Sequence, residues 1–144
     1  MNTRLFPAVE RVLLTLWVGA LWVTGFMVAP LLFAELDDRA LAGSVAGSLF
    51  TVTSYLGLLC GATLLLINGL TARTANWRAV VMVIMLLLVV IGQFVIPPMV
   101  ADLRLPGLTD SARFGQLHGI ASVLFLITSV LGLVLVAAGQ RSRG

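Results

Sequence analysis

Four long apolar runs alternate with short polar stretches along the chain, from about Val12 to Phe33, Ser44 to Leu70, Ala79 to Ile96 and Leu117 to Ala138. Each approaches or exceeds the roughly 20 residues that a helix needs to cross ~30 Å of hydrocarbon. Barrel strands are excluded, because their residues alternate between lipid and lumen whereas these runs are continuously apolar. A helix also satisfies its backbone groups internally, as lipid requires. The pattern predicts an all-α fold: one four-helix transmembrane bundle, running up-down-up-down over residues 1–144.

The punctuation between the runs sharpens this outline. Glu35 to Arg39 separates spans one and two, and Thr71 to Arg78 separates two and three. Pro97 and Pro98 are expected to end span three, since proline lacks an N–H and crowds the preceding turn. Met99 to Gln116 is the longest connection, with Thr109 placed to cap a short interfacial helix that reaches Gln116. Gly25 and Pro30 predict a loosened helix late in span one. That span is longer than the ~7–15-residue apolar core of a cleaved leader, and is expected to be an uncleaved first helix.

Composition moves the whole chain into lipid. Its 144 residues are 60% hydrophobic and 10% charged, with a mean hydropathy of +1.09. Soluble domains carry about 25% charged residues. The net charge of +3 does not point to nucleic acid, because the basic residues, all arginine, occur in ones and twos and form no basic face. They set topology instead. Arg4, Arg11, Arg73, Arg78, Arg141 and Arg143 fall on one side of the bilayer, and Arg39, Arg104 and Arg113 on the other. Positive residues stay inside, so both termini are expected in the cytoplasm. Cys60, the single cysteine, excludes an intrachain disulfide and reads as a small hydrophobe.

Helices in lipid associate through close van der Waals contact and hydrogen bonds, so small residues mark interfaces. Gly43, Gly47, Ser54, Gly57 and Gly61 fall within one narrow stripe of span two. That stripe is expected to seat a neighbour from the same chain or from a second copy. Trp17 and Trp22 lie inside span one and are expected to fill the volume the glycines leave, each N–H requiring an acceptor. Trp77 is placed at the membrane surface.

Polar groups within the spans are few, and each asks for a reason. His118, the only histidine, lies about one turn into span four, and Ser122, Ser129 and Gly132 share its face, which is expected to look into the bundle. Gln93 lies about one turn from the end of span three, Glu35 just beyond span one, and Arg113 at the entry to span four. Antiparallel spans bring these groups to a similar depth in the outer leaflet. Three uses stay open: inter-helix hydrogen bonding that fixes register, a proton-accepting or ligand-binding site at His118 tuned by Glu35 and Arg113, and a Cu(I) site in which Met27 and Met99 join His118. A bis-histidine haem is excluded by the single histidine. No nucleophile elbow, phosphate loop or zinc motif occurs, and no cofactor is expected.

The segments Trp17–Phe33, Leu41–Phe50 and Arg113–Ser122 read WVGALWVTGFMVAPLLF, LAGSVAGSLF and RFGQLHGIAS. Together they resemble the transmembrane-protein-205-like family, known among bacteria as domain of unknown function 4149. One departure is Leu117, where relatives carry an aromatic residue before the histidine. The resemblance implies a four-span inner-membrane protein without an established activity, and eukaryotic relatives associated with resistance to platinum drugs point toward metal or drug handling. The expected role is a non-enzymatic accessory or interaction subunit, as a homo-oligomer or within a larger membrane complex. The alternative is a small transporter or export helper for a metal ion or small molecule, working through the cluster around His118.

Overall fold

A computed structural model describes residues 5–71, 76–101 and 112–138. Every regular element among them is helical: α1 (Leu5–Trp22), α2 (Ala29–Glu35), α3 (Arg39–Thr71), α4 (Trp77–Val90), α5 (Ile96–Ala101) and α6 (Ala112–Ala137). Two π-helical turns, Val23–Val28 and Ile91–Val95, join α1 to α2 and α4 to α5. The result is four helical spans long and apolar enough to cross a membrane: Phe6–Glu35, Arg39–Gly69, Trp77–Met99 and Gly115–Ala137. α1 and α4 each pack on both α3 and α6, so the spans form a ring in which sequence neighbours stand side by side. One end of the ring holds the start of α1 and the end of α6, and is called the terminal end below; the other is the far end.

The helix boundaries follow from capping as well as from hydropathy. Asp38 Oδ1 accepts the N–H groups of Ala40 (2.8 Å) and Leu41 (3.1 Å) and so caps α3. Asn76 Oδ1 accepts Ala79 N–H at 2.9 Å and caps α4. The residues expected to form a separate interfacial helix divide: Ala112 to Gln116 are the opening of α6, and Thr109 lies outside the described residues.

Span three does not stop at its prolines. The helix continues through Pro97 and Pro98 to Ala101, and the π turn before them explains how. Proline cannot donate to the carbonyl four residues back and pushes against it. Within the π turn the chain bonds one residue further, with Ile96 N–H reaching Ile91 O, which makes room for the rings. Span one uses the same device. Ala29 N–H bonds Thr24 O across the π turn, and Pro30 then stands in the first turn of α2, where a missing donor costs nothing. The loosening expected at Gly25 and Pro30 therefore takes the form of one extra residue in the helix.

The core lies toward the terminal end, built from Leu14, Trp17 and Leu21 of α1, Cys60 and Leu64 of α3, Met82, Met85 and Val89 of α4, and Leu135 of α6. Trp17 is fully buried, and its indole lies in the gap left by Gly57 and Gly61. Toward the far end aromatic rings take over. Phe125 meets Phe50 edge-on at 5.3 Å and Phe26 at 5.9 Å, while Trp22 stacks on Phe26 at 4.7 Å. Gly25 gives Phe125 its place, since a Cβ there would run into the ring.

Candidate functional site

The seam by which span one meets α3 runs along Gly61, Gly57, Thr53, Ala46 and Ala42, of which all but Gly57 and Gly61 carry side chains. This is a row stepping mostly by four residues, and such ridges are inclined by roughly 26° to the helix axis. The seam therefore leaves the straight line of small residues as it rises. Gly57 and Gly61 lie against Trp17, and Gly61 also against Leu86. At the far end the line is open: a Cβ on Gly47 would meet nothing within 4 Å, and one on Gly43 would meet only the Phe33 ring, at 3.9 Å. Ser54 is half-buried between these two halves.

Each π turn presents a polar side chain to α3. Thr24, in the first, shares a hydrogen bond of 3.0 Å with Thr53, both hydroxyls buried. Gln93, in the second, donates from Nε2 to Thr51 Oγ1 at 3.0 Å, and Thr51 itself donates to Gly47 O at 2.9 Å. The amide of Gln93 is thus engaged with α3.

His118, Ser122, Glu35 and Arg113 are all exposed. Ser122 Oγ donates to the backbone carbonyl of His118 at 2.9 Å. No hydrogen bond or ion pair joins the side chains of His118, Glu35 and Arg113 to one another or to Gln93 among the described residues. Met27 and Met99 are exposed too, and no group of three or more His, Cys, Asp or Glu among the described residues is arranged to hold a metal.

The position of His118 has a specific cause. His118 and Ser129 are eleven residues apart, so they stand about 20° apart around α6. Yet Ser129 is fully buried while His118 is exposed. At the depth of Ser129, span one covers this face: Trp22 Nε1 donates to Ser129 O at 3.3 Å, and Val18 and Met85 lie where a Cβ on Gly132 would be. Beyond the π turn, α2 packs on α3 and makes no comparable contact with α6. The face is shared, as expected, but its neighbour departs. His118 is left on a strip that the described residues do not cover, with Gly115, Gly119 and Ser122, and a Cβ on either glycine would meet nothing within 4 Å.

The one inter-helix ion pair among the described residues lies at the opposite, terminal end. Glu10 Oε1 accepts from Arg78 Nη2 at 3.0 Å and from Nε at 3.3 Å, with the side chains only 10% and 12% exposed. Arg78 Nη1 also donates to Leu135 O at 3.2 Å, capping the last turn of α6 where the helix dipole favours a cation. Sequence reasoning counted Arg78 as a topology signal and gave Glu10 no role. The available signal was that Glu10 is the single acid among the charges assigned to the terminal side.

Residues 12–107, about two-thirds of the chain, match the family described as domain of unknown function DUF4149. The chain belongs to that family. The DUF4149 match takes in spans one to three together with both π turns, and leaves α6 with His118 beyond it. No curated protein and no solved structure matches the chain.

Proposed function

We propose that this DUF4149 protein is a non-enzymatic interaction subunit of the inner membrane, with both termini cytoplasmic, that docks another transmembrane helix on the far-end strip of α6. The observation that carries this reading is the open strip itself. Gly115, Gly119 and Ser122 follow the i, i+4, i+7 spacing that lets a second backbone come close, and nothing among the described residues fills it. His118 lies on the same strip with an imidazole that has no partner among the described residues, at a depth where an unsatisfied polar group is costly. A partner helix offering an acceptor or donor at that level relieves the cost.

A photoreactive residue at Ser122, with one at Val80 on the lipid-facing side of α4 as control, tests this in native membranes. The expected result is one crosslinked species of defined mass from position 122 and none from position 80. Twice the monomer mass identifies a second copy. Gly119→Leu should abolish the species without lowering the melting temperature of the purified protein. Lipid adducts alone from both positions would overturn the reading.

A further inference from the structure

A groove of ≈ 670 Å³ runs along the outside of span one, lined by Arg11, Thr15, Leu16, Gly19, Ala20 and Val23, with Leu56 of α3 and Val12 completing its walls. We infer that it binds one anionic phospholipid of the terminal-side leaflet, with the phosphate at Arg11 and an acyl chain laid over Gly19. From Arg11 to Val23 the helix rises about 18 Å. Half of the ~30 Å hydrocarbon thickness is about 15 Å, so the groove has the reach of one leaflet with a head-group at its end. Its chemistry changes along that length in the same order as a phospholipid's. Arg11 Nε is spent on Pro7 O at 3.3 Å within its own helix, and the remaining guanidinium donors face out, unpaired among the described residues.

One turn further in lies Thr15. The hydroxyls of Ser48, Thr51, Thr63, Ser122 and Thr128 all donate to the carbonyl four residues back. Thr15, like Ser44 and Ser54, makes no such bond, which leaves its exposed hydroxyl open to the glycerol esters. Beyond Thr15 the lining is wholly apolar, and Gly19, with nothing within 4 Å, forms the recess. A second helix is a poorer occupant than a methylene chain. Val12, Leu16 and Val23 project from the walls and hold another backbone away, whereas helix pairing needs small residues along the whole contact.

Native mass spectrometry of the full chain, offered equimolar phosphatidylglycerol and phosphatidylcholine in detergent, tests the site. The wild type is expected to retain one phosphatidylglycerol in preference to phosphatidylcholine. Arg11→Gln should weaken that preference about fivefold, the worth of one arginine at an anionic surface. Gly19→Leu should reduce retention of both lipids by filling the recess, and Arg113→Gln, at the far end, should change neither. No preference in the wild type, an Arg11→Gln protein that behaves as wild type, equal losses from Arg11→Gln and Arg113→Gln, or unchanged retention in Gly19→Leu would each overturn the assignment.

Discussion

At the scale of single residues, position relative to a neighbour outweighs residue type. Gly57 and Gly47 are both glycines in the same helix, ten residues and about 80° apart around it, so that Gly47 stands to one side of the seam. A Cβ at Gly57 would collide with the indole nitrogen of Trp17, and one at Gly47 would meet nothing. Trp17 is fully buried in the core and has little room to retreat. Overpacking of this kind costs about 1–3 kcal/mol. Gly57→Ala is therefore expected to lower the melting temperature in detergent. Gly47→Ala is expected to leave it unchanged or raise it slightly, because alanine is the better helix former by about 1 kcal/mol. Equal effects at the two positions, read by thermal unfolding, would contradict the seam described for α3. The indole nitrogen of Trp17 and the hydroxyl of Ser129 have no hydrogen-bond partner among the described residues. Both lie where volume is filled, and packing has prevailed there over hydrogen bonding.

At the scale of elements, the two π turns decide where the polar groups go. Each adds one residue to an otherwise α-helical span just before proline, and each delivers a side chain to α3, Thr24 to Thr53 and Gln93 to Thr51. Because a π turn holds one residue more than the α path, removing one should return both halves to α geometry with their faces in place. Deleting Val23, an exposed residue of the first turn, is expected to give a folded protein less stable by about 3 kcal/mol, because Pro30 then follows an α path. Deleting Val12, in regular α1 and equally lipid-facing, rotates the preceding turns by about 100° against the rest. That rotation carries Glu10 away from Arg78, and folded yield in detergent should fall sharply. The four spans themselves were legible from hydropathy, since lipid admits no other reading of such runs. The π turns were legible only as looseness at Gly25 and Pro30, because one added residue leaves the apolar pattern intact. At Pro97 the usual rule pointed the wrong way, since it assumes an α path up to the proline. The face of His118 was phased correctly against Ser129, but helical phase cannot report where a neighbouring helix turns aside.

At the scale of the whole molecule, the bundle is tied at one end and open at the other. At the terminal end Arg78 of α4 joins Glu10 of α1 to the last turn of α6, linking three spans through one guanidinium. At the far end α2 leans on α3, and no described residue of span one covers the matching face of α6. Ion pairs in such surroundings gain Coulomb energy but lose hydration, so the pair is worth less than the damage done by removing one member. Glu10→Leu takes the carboxylate away from a nearly buried guanidinium, and should cost about 3 kcal/mol. Arg78→Met takes the guanidinium away from the Glu10 carboxylate and removes the cap from Leu135 O, and should cost at least as much. The double variant Glu10→Leu with Arg78→Met strands no charge and places apolar volume at both sites. It is expected to be more stable than either single variant, as read by thermal unfolding in detergent. Strictly additive losses would mean that the two side chains act independently, and that the terminal end is held by the Trp17 core alone.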